Sequence, residues 1–185
     1  TWIHKSKDLV HWTYVGGAYE DDKKPSWEPE AGIWAPDINY INGKYVMYYS
    51  LSKWGGGATC GIGVSVSDKP EGPFTDQGKL FRSNEIDVHN SIDPFYIEDN
   101  GKKYLFWGSW YGIWGIELTE DGLGLKGGIE NAKATKIQVA ANTGGTNAYE
   151  GSYILKRGKY YYLFCSTGTC CDGANSTYQT VVCRS

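Results

Sequence analysis

Two carboxyl side chains in this sequence stand at the same distance from a recurring turn. Asp93 precedes Gly101 by eight residues, and Glu150 precedes Gly158 by eight. In both places the acid opens an apolar run, a polar turn with glycine reverses it, and an aromatic run returns. The first copy leads from Asp93-Pro94-Phe95-Tyr96-Ile97 through Asn100-Gly101 to Tyr104-Leu105-Phe106-Trp107. The second leads from Glu150-Gly151-Ser152-Tyr153-Ile154 through Arg157-Gly158 to Tyr160-Tyr161-Tyr162-Leu163-Phe164. An earlier copy turns at Gly43, with Ala35 at the matching place and Asp37 two residues later. Two carboxyl groups flanking one bond can hydrolyse a glycosidic linkage, often with a third group adjusting a pKa. Acids at strand ends also accept hydrogen bonds from nearby amides, so the spacing leaves both roles open.

The elements that would position these acids are short strands. Apolar or aromatic runs at 33–41, 44–51, 60–67, 93–98, 103–109, 113–118, 153–156, 160–166 and 178–184 are bounded by Gly, Asn or Asp. No window of helical length carries a 3.6-residue apolar stripe. The turn glycines at 43, 101 and 158 are spaced by 58 and 57 residues. Self-similarity at such a period indicates stacked supersecondary units, here the blades of an all-β propeller. Innermost strands of a propeller line a central channel, so equivalent positions converge at one mouth of it. Residues 1–19 read as the end of a first blade, 20–80 as a second, 81–135 as a third and 136–185 as an incomplete fourth. The chain is thus expected to be a piece of a larger domain. Loops at 20–32, 82–92 and 138–149 are longer than hairpins need, and such loops carry binding residues. Gly55-Gly56-Gly57 reads as a flexible loop and not as a phosphate cradle, since no Lys-Ser/Thr pair follows.

Composition narrows the ligand class. The 185 residues include 25 Gly, 15 Tyr and 8 Trp, with a formal net charge of −3. No basic run tracks phosphates, which argues against a nucleic-acid partner. Aromatics without cationic clusters suit neutral ligands such as sugars, although core packing uses aromatics too. No stretch approaches the ~18 apolar residues of a membrane span. The five cysteines, at 60, 165, 170, 171 and 183, form no Cys-x-x-Cys pair, so a zinc site is not expected. Adjacent Cys170 and Cys171 are not expected to bond to each other. A secreted protein with one or two disulfides and a reduced protein with buried thiols both remain open.

Several motifs resemble the blades of glycoside hydrolase family 43. They are Ser6-Lys7-Asp8-Leu9-Val10-His11-Trp12, Trp34-Ala35-Pro36-Asp37, Asn90-Ser91-Ile92-Asp93-Pro94, Gly108-Ser109-Trp110 and Tyr149-Glu150-Gly151-Ser152-Tyr153. Lys156–Phe164, followed by Cys170-Cys171 and Asn175-Ser176-Thr177-Tyr178, is most similar to the arabinan-cleaving branch. The resemblance covers essentially the whole chain in order. It implies a five-bladed propeller that hydrolyses arabinofuranosyl or xylosyl linkages with inversion. It casts Glu150 as general acid and Asp93 as the acid that tunes its pKa and orientation. The base of that family would lie one repeat before Ala35, which falls before Thr1, so the general base is expected outside this chain. Asp37 stands nearest to it but resembles a substrate-pocket position. A metal ion in the channel is possible in a full-length protein, with no ligand assignable here and no other cofactor.

The resemblance extends to a substrate-binding set of Trp34, Asp37, Asn90, Ser109 and Trp110. The two tryptophans could stack on a sugar face or pack in the core. Asn90 and Ser109 could bond sugar hydroxyls or cap turns. His89, four residues before Asp93, could reach the rim or lie solvated; His4 and His11 read as strand or edge positions. The partner implied is an oligo- or polysaccharide, with the remainder of the propeller required and a secreted, periplasmic or cell-surface location. A β-xylosidase-type specificity is the alternative within the family, since loops and aromatics choose the sugar. A non-catalytic carbohydrate-binding propeller is the alternative outside it.

Overall fold

The computed structural model describes residues 1–141 and 148–185. The expected long loop at 138–149 therefore lies largely outside the described residues. The chain folds as consecutive antiparallel meanders. β1 (Trp2–Ser6) and β2 (Trp12–Gly17) form a hairpin, and β3 (Gly32–Ile41), β4 (Lys44–Ser52), β5 (Gly61–Ser67) and β6 (Thr75–Arg82) form a four-stranded sheet. After a one-turn helix α1 (Ser83–Ile86) comes a second four-stranded sheet. It comprises β7 (Phe95–Asp99), β8 (Lys102–Trp107), β9 (Ile113–Glu117) and, beyond α2 (Gly128–Thr135), β10 (Ile137–Ala140). A three-stranded sheet of β11 (Glu150–Arg157), β12 (Tyr160–Thr167) and β13 (Gln179–Arg184) follows.

Local chemistry sets the corners. Asn42-Gly43 and Asn100-Gly101 hold paired left-handed residues (φ 49 and 85, 51 and 74), the two-residue turn that matches strand twist. These turns fix the register at Ile41↔Lys44 and Asp99↔Lys102. β4 is buried on both faces, with Met47, Tyr48, Tyr49 and Leu51 fully enclosed, so it reads as a near-continuous apolar run and not an alternating one.

β6, β10 and α2 lie outside the apolar runs read from the sequence. β6 is a polar edge strand, alternately exposed along Thr75-Asp76-Gln77-Gly78-Lys79-Leu80, and offers no apolar signature. β10 pairs with β9, so the third sheet runs to Ala140 and past the boundary placed at 135. α2 buries only Ala132, which is why no apolar stripe announces it. Cys170 and Cys171 are joined by a disulfide, against the expectation for neighbours. Cys171 takes a left-handed backbone (φ 67) at the tip of its loop, a turn that the generic argument against vicinal pairing leaves out. Cys60 and Cys165 are buried free thiols and Cys183 is exposed.

The main core lies between the second and third sheets. Tyr48 stacks on Tyr96 at 5.7 Å, and Phe81 packs on Trp107 at 5.0 Å. Ile62, Val64, Leu105 and Ile116 fill the space around them. Fully burying each such side chain contributes about 1.5–3 kcal/mol. Trp107 satisfies its indole N–H on Ser91 Oγ at 3.0 Å, and Ser91 donates in turn to Val88 O at 2.8 Å. A smaller cluster of Ala18, Tyr19, Met47 and Phe74 seats the β1–β2 hairpin on the second sheet.

Candidate active site

β3 at its bulge and β7 and β11 at their starts meet at one cavity of about 310 Å3, walled by Asp37, Asp93, Glu150, Ser152, Ser166 and Tyr178 among others. Their starts are bent alike. Ala35 (φ 42), Asp93 (φ 60) and Gly151 (φ 60) sit in left-handed conformations, and bulges interrupt pairing at Trp34/Asp37 and Glu150/Tyr153. Strain and bulges of this kind re-aim side chains at strand ends. Here they turn acids from successive sheets toward a common space.

Asp93 is held by its backbone, whose N–H donates to Ser50 Oγ at 2.9 Å. Burial pushes its carboxyl up to about 7, and the charge of Glu150 adds to the rise, while the Gly151 N–H opposes it. The carboxyl therefore divides between neutral and charged forms near neutral pH.

Glu150 accepts at both oxygens. Ser109 Oγ donates to Oε2 at 2.9 Å, and the Tyr178 hydroxyl donates to Oε1. Ser109 is placed by a bridge to Glu150 and by the Trp110 N–H, which donates to Tyr149 O at 3.0 Å. Asn90 braces the same loop, donating from Nδ2 to Ser109 O at 3.3 Å. Asn90 and Ser109 thus direct their side-chain donors at the protein, one behind the other, toward Glu150.

Asp37 lines the cavity, and its Oδ2 takes two hydrogen bonds, from Tyr96 N at 2.7 Å and Asn39 Nδ2 at 3.0 Å. Burial raises its pKa, and these two donors pull against that. The bond to Tyr96 ties the second sheet to the third at the cavity wall. Trp34 and Trp110 stand outside the wall of this cavity. Trp34 lies 6.3 Å from the exposed Trp54 ring, and Trp110 is 42% exposed. His89 meets Tyr111 edge-on at 4.6 Å on the surface, His4 packs against Tyr14, and His11 pairs with Asp8.

Three polar residues of the wall carry no site role in the sequence reading: Ser152 and Tyr178, which lie within the family-like motifs, and Ser166. Ser166 pairs with Glu150 across β11 and β12, and Ser152 Oγ is buried without a hydrogen-bond partner. Ser152 follows the acid by two residues, a signal that period-2 alternation could have supplied. A channel metal ion finds no donor set here, since among the described residues no three His, Cys, Asp or Glu are grouped to hold one. Nor is any helix among the described residues long and apolar enough to cross a membrane.

The chain as a whole is similar to known proteins. Arabinan endo-1,5-alpha-L-arabinosidase A of Aspergillus niger is 33% identical over 183 residues, covering 94% of this chain and 54% of that protein. The chain thus spans about half the length of the curated relatives it matches. Among solved structures, an exo-1,5-alpha-L-arabinanase from a bovine ruminal metagenomic library aligns with a TM-score of 0.81 at 36% identity. The alignment covers 100% of this chain and 63% of that one. The alpha-L-arabinanase of Cellvibrio cellulosa complexed with arabinohexaose aligns at 0.80 and 31% identity, with the same coverage. The fold is all-β, that of a five-bladed β-propeller of which this chain covers part. The profile of glycosyl hydrolases family 43 matches residues 1–185, and the chain belongs to that family.

Proposed function

We propose that this chain is part of an inverting glycoside hydrolase that cleaves α-L-arabinofuranosyl linkages in arabinan or related plant-wall polysaccharides. Glu150 is the general acid and Asp93 tunes and orients it. The observation that carries this reading is the convergence of Asp93 and Glu150 on one cavity, with the Asp93 carboxyl raised by burial and by Glu150. The arabinanase names of the relatives support the choice of sugar. In this reading β1 and β2 end one blade, the two four-stranded sheets are whole blades, and β11–β13 begin a fourth.

The chemistry follows from the roles. Glu150 gives its proton to the leaving oxygen as the bond from that oxygen to the anomeric carbon breaks. Water adds to the opposite face of that carbon and loses a proton to a base. Inversion needs about 6.5–9.5 Å between acid and base so that the water fits. Asp37 is not assigned as that base, because its Oδ2 is committed to Tyr96 and Asn39. The base is expected from sequence beyond these 185 residues, together with the rest of the channel. The Cys170–Cys171 disulfide fits a secreted, periplasmic or cell-surface location, where oxidised cysteines persist.

The test is Glu150→Gln in the full-length protein, assayed on α-1,5-arabino-oligosaccharides. Loss of a general acid lowers kcat by about 10²–10⁴-fold with KM nearly unchanged. Undiminished hydrolysis would remove Glu150 from the role. Cleavage of xylo-oligosaccharides alone would overturn the sugar assignment.

A further inference from the structure

The loop between β12 and β13 ends on Tyr178, and it is built to hold that residue in one place. Thr167 pairs with Gln179 where the strands part. At the loop's neck, Thr177 N–H donates to Thr169 O at 3.0 Å, and Thr169 N–H donates to Thr177 Oγ1 at 3.0 Å. Gly168 approaches the Thr177 carbonyl so closely that a Cβ would lie 2.4 Å from it, so only glycine lets the neck close. Past the neck, Asp172 N–H donates to Ser176 Oγ at 3.0 Å, and the Cys170–Cys171 disulfide lies at the tip.

Tyr178 therefore sits between a pinned Thr177 and a paired Gln179. The residue is 44% exposed, so packing alone does not dictate where its hydroxyl goes. The hydroxyl goes to Glu150 Oε1. Burial, and then the bond to Glu150 with the charges of Glu150 and Asp93, raises the phenol pKa, so the group stays a donor. Ser109 takes the other oxygen from a different sheet. A carboxylate has about four lone-pair sites on its two oxygens. Donors at one site of each oxygen fix the carboxyl plane and restrict where its proton can stand. A general acid must aim that proton at one leaving oxygen, and misalignment costs rate even where binding survives.

We propose that Tyr178 is a positioning residue for the general acid, acting with Ser109 to hold the Glu150 carboxyl in its proton-donating orientation. The proposal rests on the reading of Glu150 given above. It separates Tyr178 from a residue that merely lines the cavity, because its effect must follow how much protonation the leaving group needs.

The experiment compares wild type with Tyr178→Phe, a change that removes only the hydroxyl, in the full-length protein. The substrates are methyl and 4-nitrophenyl glycosides of arabinotriose, followed at the bond to the aglycone. An alkoxide leaves only when protonated, whereas 4-nitrophenolate needs little help. The expected result is a fall in kcat of about tenfold or more on the methyl glycoside, with less than about threefold on the aryl one. KM stays within about twofold on both. Equal losses on the two glycosides, or no loss, would overturn the proposal. A wild type that cleaves neither glycoside nor arabino-oligosaccharides would overturn both this inference and the function it rests on. An active wild type with an unselective Y178F overturns the inference alone.

Discussion

Asp93 is where the site conflicts with stability. Its carboxyl titrates near 3.8 in an unfolded chain and is pushed up to about 7 in the folded one, first by burial and then by the Glu150 charge. Below about pH 4 both states hold the proton and burial of the neutral acid costs little. Between about 4 and 7 the unfolded chain releases the proton while the folded chain retains it, so stability falls as pH rises. A rise from 3.8 to about 7 corresponds to roughly 4 kcal/mol at full ionisation. Asp93→Asn keeps the shape and removes the charge. Its Tm should exceed that of wild type at pH 8 and match it near pH 4; a constant difference across that range would refute the assigned linkage. Ser152 carries a related conflict, since a buried hydroxyl without a partner costs about 1–3 kcal/mol. Ser152→Ala should raise Tm slightly and leave KM for arabino-oligosaccharides unchanged, because the hydroxyl is out of reach of solvent and so of a ligand. A lower Tm, or a raised KM, would show that the hydroxyl finds a partner after all.

The acids reach each other because elements deliver them, and Gly108 is the clearest case. It lies at φ 136, and a Cβ there would fall 2.1 Å from Gly112 O. Its N–H donates to Ile92 O at 2.9 Å, just before Asp93, and the next residue is the Ser109 that holds Glu150. Gly108→Ala should therefore destabilise the protein by about 2–4 kcal/mol in urea unfolding, and lower kcat beyond what the lost folded fraction explains. A mutant with wild-type stability would show that the loop has room to adjust. The same contrast explains what was legible in the sequence. Asn42-Gly43 and Asn100-Gly101 announce their hairpins because a two-residue turn is a local event. Asp93 and Glu150 were legible because repetition placed them at equivalent strand starts. Tyr178 was not, since it meets Glu150 across 28 residues through the β12–β13 register and a loop neck that no periodicity encodes. Ser109 was singled out as a substrate contact, yet it bonds Glu150 across 41 residues through an isolated bridge. α2 was invisible because it shows no apolar face of regular period.

At the scale of the molecule, the two seams that flank the third sheet differ in kind. The second and third sheets share a filled core, with Tyr48, Phe81, Leu105 and Trp107 fully buried. The third and fourth flank an open cleft of about 700 Å3, with Ile97, Tyr104, Phe106, Ile154 and Leu163 on its apolar walls and Cys183, Arg184 and Ser185 at its side. Dispersion contacts are lost where apolar walls face space, so this seam contributes less per strand. What ties it is largely polar: Lys156 pairs with Asp99, and Tyr161 donates to Asp99 Oδ2 at 2.7 Å. Both bonds, Lys156 first, hold the Asp99 carboxyl below the usual carboxylate range, so the tie persists until strongly acid pH. Hydrogen exchange should therefore be slowest in β4 and β8 and faster throughout β11–β13, which open as a unit of lower local stability. Asp99→Ala should accelerate exchange in β11 and β12 while leaving β4 unchanged. Uniform protection across all four sheets would mean that the seam is as strong as the core beside it. If the gradient is found, Glu150 is carried on the looser wall of the cavity and Asp93 on the firmer one. The separation of the two acids would then vary with motion of the fourth sheet, and Asp99→Ala would lower kcat without touching either acid.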